Sequence, residues 1–195
     1  MRVTAKVLRF VAFGVLVVVA LFGGLFAAGH VVADMPAQVS VLAIGLWLAV
    51  AGGLSWWAVR SPDRAVTALL VAVVLAVLLT TLDGFLDLFD RNTNGPVSAM
   101  VVLALFVPLA VLGLRRALAA GVLLVALAAA QLVATVLLWT EAAGQAPPWA
   151  ALFRGSSGIL ILPMALAGVL FLSAGLLMHE SVRFGHLSKG ARVAH

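Results

Sequence analysis

Asp83, Asp87 and Asp90 place three of the chain's seven carboxylates within eight residues, in the stretch TTLDGFLDLFDRNTNG. Their i, i+4, i+7 spacing puts all three on one face of a helix. Carboxylates grouped in this way suit a hard cation such as Ca²⁺, which takes oxygen ligands. Asp90-x-Asn92-x-Asn94-Gly95 even opens like an EF-hand calcium loop. The match then breaks, because the twelfth position, where a bidentate Glu belongs, is Val101, and Pro96 follows the glycine. What remains is a looser candidate site for an outer cation. Arg91, next in sequence, and Arg154, in a later loop, are the bases that could offset the repulsion among the acids or contact a partner. The plainer expectation is a solvated exit from a helix that leaves an apolar layer.

Other chemistry is sparse. Cysteine is absent, which excludes disulfides, thiolate metal sites and cysteine nucleophiles together. Gly155-x-Ser157-Gly158 has the local form of an intramembrane serine nucleophile, but such a serine needs a base within hydrogen-bond reach. His179 lies 22 residues further along the same predicted helix, about 33 Å away at the helical rise. His30 falls on the correct side, so a dyad with it is the one form catalysis could take, and a helix start capped by Ser156 or Ser157 is the plainer reading. The remaining histidines, His186 and His195, lie near the carboxyl end with His179. No two face each other at one depth, so no haem and no other cofactor is expected. Gln131 is the deepest strongly polar side chain, with Thr135 one turn later. The pair is a candidate contact for a neutral ligand or, more simply, for a neighbouring helix.

The elements that position these residues follow from composition. Of 195 residues 65% are hydrophobic and 10% charged, against about 25% charged in soluble domains. The chain cannot cover itself in water, so its solvent is largely lipid. A helix needs roughly 20 apolar residues to cross a bilayer, and six runs qualify: about 10–29, 37–59, 65–82, 97–114, 117–139 and 157–178. They do not alternate apolar and polar, which excludes barrel strands. The apolar core of the first run, about 19 residues, is longer than that of a cleaved signal. The fold class is therefore all-α: a single domain over 1–195, a bundle of six transmembrane helices with short loops. A tight hairpin at Gly113 is expected between the fourth and fifth spans, with Arg115 and Arg116 at the surface.

Charge sets the orientation. With the amino terminus inside, the inner segments hold ten basic side chains against Asp63 and Glu180, while the outer segments hold only Arg91 and Arg154 against five acids. That asymmetry predicts both termini in the cytoplasm of a cell membrane. The net charge of +5 is thus explained by the ends of spans and forms no stripe for nucleic acid. Ten Arg to two Lys, with Ala, Val, Leu and Gly dominant, suits a GC-rich bacterial genome.

Helices in lipid associate through small residues. Gly45, Ala49 and Gly53 recur every fourth residue in the second span, Ala126, Ala130 and Ala134 in the fifth, and Gly23, Gly24, Gly168 and Gly175 add small surfaces elsewhere. Pro108 and Pro163 interrupt the fourth and sixth spans. No ionisable group falls near the centre of any span, which disfavours a pump or proton-coupled carrier working alone. The expected function is an accessory or structural subunit of a larger membrane complex, with the bilayer and a membrane protein as partners. The alternatives are a small transport component that takes a neutral solute or lipid from the outer side, and an intramembrane enzyme.

Overall fold

A computed structural model describes residues 2–34, 36–86, 97–142 and 156–190, with side chains over 3–29, 32–33, 36–82, 99–136 and 160–178. Among the described residues the chain is all-helical: α1 (Arg2–Asp34), α2 (Ala37–Arg60), α3 (Pro62–Leu86), α4 (Val97–Arg115), α5 (Ala117–Ala142) and α6 (Ser156–Gly190). Five of the six are long and apolar enough to cross a membrane. The apolar part of the other, Ala99–Arg115 in α4, is shorter.

The helices are longer than the apolar runs because polar ends continue them past the layer that lipid demands. Thus α1 begins eight residues before its apolar run and α3 ends four after its own. The buried positions show which face each turns inward. In α1 these are Ala5, Ala12, Leu16, Ala20 and Ala27, and in α3 Ala65, Leu69, Val73, Ala76 and Thr80. Both sets repeat at three, four or seven residues, the period of one helix face. The first helix is therefore a packed member of the bundle, lying against α4 and α6.

The centre is α4. Residues 102–106 are buried without interruption, as are Pro108, Leu109, Ala110 and Leu112, so this helix is covered on all sides. It touches each of the other five helices. A helix apolar all round belongs in such a place. Pro108 removes the amide that would otherwise bond the Ala104 carbonyl, and its ring is fully buried.

The most extensive helix pairing among the described residues is α5 with α6, and glycine explains it. A Cβ on Gly121 would lie 2.9 Å from the Gly168 carbonyl oxygen and 2.8 Å from the Leu172 amide nitrogen. A Cβ on Gly168 would lie 3.1 Å from the Val125 nitrogen, and one on Gly175 would lie 3.0 Å from the Leu118 nitrogen. The two backbones meet almost directly, which maximises dispersion contact where lipid offers no hydrophobic drive. The Ala126, Ala130, Ala134 stripe does not make this seam, since Ala126 is exposed and only Ala134 is buried. Gly121, absent from the stripe read in the sequence, does.

The two short connections also differ from expectation in one place. Ser61 alone separates α2 from α3, and Arg116 alone separates α4 from α5. The hairpin predicted at Gly113 falls three residues later. Gly113 stays helical because it is needed for packing: the Phe171 ring of α6 lies where its side chain would be.

Candidate functional site

Two junctions and the start of α1 meet at one end of the bundle. Arg116 pairs with Asp63 across the α4–α5 and α2–α3 turns. Arg9 of α1 donates from Nη1 to the Leu114 carbonyl at 3.4 Å. That carbonyl belongs to the last turn of α4, where backbone acceptors lack helical partners and the macrodipole favours a cation. The Arg9 Nε is buried and has no hydrogen-bond partner. The Phe171–Gly113 and Leu118–Gly175 approaches bring the second half of α6 to the same end. Lys6, Arg9, Arg60, Arg64, Arg115 and Arg116, every basic residue whose side chain is described, therefore gather here, with Asp63 as the acid among them. The exposed Arg116–Asp63 pair adds little stability, about 0.2–1 kcal/mol for pairs of its kind. Its value here is geometric, since it shows which turns are neighbours.

In the interior Gln131 of α5 meets Thr80 of α3. The Gln131 Nε2 donates to the Thr80 Oγ1 at 2.8 Å, and the Thr80 hydroxyl donates to the Val77 carbonyl at 3.2 Å. The hydroxyl thus uses its one proton on its own helix and a lone pair on the neighbour. Both residues are buried. Thr135, one turn beyond Gln131, is half-buried, and Thr80, 51 positions away in sequence, is the partner the amide finds. The contact ties α3 to α5 across an apolar interior. No signal within either helix announces it, because it depends on how the two helices are set against each other.

Asp83 lies in α3 one turn past Thr80, so the helix does continue beyond its apolar run through the first acid. The side chain of Asp83, and Asp87, Asp90, Arg91 and Arg154 altogether, lie outside the described residues. The outer cation site is therefore neither assembled nor dispersed by what is described. Among the described residues no three His, Cys, Asp or Glu side chains gather as a metal site would require. Ser157 and His179 fall on the one continuous helix α6, about 33 Å apart along its axis, so they cannot form a dyad with each other. His30 falls on α1, and its side chain is not among those described.

Trp47 of α2 packs inside the bundle. Its Nε1 donates to the Met100 carbonyl in α4 at 3.0 Å, and its ring rests where Gly24 of α1 leaves space, 3.2 Å from an ideal Cβ there. The rest of α2 is thinly covered. Only Ser40, Ala51 and Ala58 are buried. Gly45, Ala49, Gly52 and Gly53 are exposed, and nothing lies within 4 Å of an added Cβ on any of the three glycines. The Gly45, Ala49, Gly53 stripe thus takes no part in packing this bundle. No protein-family model, curated protein or solved structure matches the chain.

Proposed function

We propose that the chain is an accessory subunit of a larger membrane complex, crossing a cell membrane six times with its basic end and both termini in the cytoplasm. The observation that carries this reading is the contrast between two sets of small residues. Gly121, Gly168 and Gly175 are spent on a close internal seam. Gly45, Ala49, Gly52 and Gly53 stand open on α2 beside Leu42, Leu46 and Trp56, all exposed. Small residues weaken a helix against lipid without return unless another helix approaches. A partner helix laid on α2 would supply that return. The basic end suits a cytoplasmic face, where anionic lipid attracts Lys and Arg at about 1 kcal/mol each. With α4 enclosed by five neighbours, its 17-residue apolar stretch meets protein rather than lipid over most of its length, which relaxes the length a lipid-facing span needs.

The chain holds no cysteine, so one introduced thiol is unique. Ala49→Cys carrying a photocrosslinker, irradiated in the host's own membranes, should yield one discrete adduct with a second polypeptide. Leu75→Cys, on the exposed face of α3, should not. A discrete adduct of two copies of this chain would replace the subunit reading with a homo-oligomer. Equal, diffuse labelling from both sites would leave α2 facing lipid and contradict the reading.

A further inference from the structure

We propose that a cavity between α1, α2 and α4 is a binding site for a hydrocarbon chain, entered sideways from the bilayer by one acyl chain of a membrane lipid. The cavity measures about 230 Å³. Its floor is protein: Ala20, Ala27 and Leu103 line it and are almost wholly buried, Leu103 at 3% exposure. Its mouth is lipid-facing: Leu21, Leu25 and Leu48 line it at 60%, 70% and 57% exposure. Gly24 lets the Trp47 indole lie against α1 and Gly23 makes room for Leu103, which sets two of its walls.

The lining decides the occupant. Its one hydrogen-bond donor is the indole N–H, which the Met100 carbonyl already satisfies. A water molecule needs two to four polar partners, so this space stays free of water. Left empty, it would forfeit dispersion contacts along every wall. An apolar cavity of about 150 Å³ holds a six-carbon ring, and by that measure this one takes about nine carbons. Trp47 stands ten residues into α2, roughly 15 Å from the helix start and so near the middle of a 30 Å hydrocarbon layer. Ala28 and Met100, at the cavity's other end, stand within three residues of where the runs 10–29 and 97–114 end, so the cavity reaches from the interface toward the middle, the depth an acyl chain spans below its headgroup. The site requires the bundle to lie in a bilayer and requires no partner polypeptide, so it is tested apart from the subunit reading.

The experiment uses the full-length protein in phosphatidylcholine vesicles doped with a phospholipid carrying a diazirine near the end of one chain. After irradiation the labelled residues are mapped by peptide mass spectrometry. The expected result is labelling at Leu103, which bulk lipid does not reach, saturating as the probe fraction rises and falling when unlabelled phospholipid is added. Ala28→Phe, which fills the cavity from α1, should abolish labelling at Leu103 and leave that at Leu42, on the exposed face of α2, unchanged. If that variant fails to fold, saturation in the unaltered protein still decides. Labelling confined to Leu21, Leu25 and Leu48 and rising in proportion to the probe, as at Leu42, would overturn the proposal. So would labelling of Leu103 by a prenyl-chain diazirine but not by the phospholipid, since the occupant would then be an isoprenoid.

Discussion

At the scale of single residues, the buried hydrogen bond between Gln131 and Thr80 is the clearest polar device in the bundle. It replaces two unpaired groups in an apolar interior with a shared bond. A double-mutant cycle of Thr80→Val and Gln131→Leu, followed by unfolding in detergent, should give a coupling of about 0.6–2 kcal/mol. A coupling near zero would mean the two groups satisfy themselves elsewhere. Gln131 stood out in the sequence because so little else polar lies deep in a span. Thr80 did not, since it stands one turn before Asp83, where the span gives way to the acidic stretch. The acceptor of the Trp47 indole, the Met100 carbonyl, is a backbone atom 53 residues on. Backbone acceptors leave no trace in the type of residue that carries them.

At the scale of elements, length and apolarity located all six helices, because a run of some 20 apolar residues has few alternatives to a helix. Which face packs was harder to read. In an alanine-rich chain small-residue spacings arise on every face, and the sequence marked Ala126, Ala130 and Ala134 where the structure uses Gly121 against Gly168. The physical difference is that only glycine admits a neighbour's backbone to about 3 Å from where a Cβ would stand. Gly168→Val should therefore push α5 and α6 apart and destabilise the protein by about 1–3 kcal/mol or more. Ala126→Val, on the exposed side of α5, should stay within about 0.5 kcal/mol. Equal effects, measured by the same unfolding assay, would mean the seam is not where the glycines place it. The α4–α5 turn falls at Arg116 rather than at Gly113 for a similar cause: a glycine near the end of an apolar run reads as a turn, and here it is a seat for Phe171.

At the scale of the whole molecule, the basic side chains among the described residues gather at one end. The structure brings Arg9, the Ser61 junction and the Arg116 junction together, as antiparallel helices joined by one-residue turns require, and the proposed orientation puts that end in the cytoplasm. A Ser61→Cys variant in right-side-out vesicles should resist a membrane-impermeant maleimide and react in inverted ones; the opposite pattern would reverse the orientation. The opposite end was less legible: Asp34, Asp83 and Glu141 fall in the last turns of α1, α3 and α5, and Asp87 and Asp90 lie outside the described residues.

The subunit assignment draws most on the open small-residue face of α2, and one measurement tests it most directly: native mass spectrometry of the protein extracted gently from its host's membranes. The account predicts a second polypeptide in fixed stoichiometry, lost when Gly45→Leu and Ala49→Leu cover that face while the bundle itself stays folded. A monomer of the unaltered chain, carrying at most lipid, would contradict it.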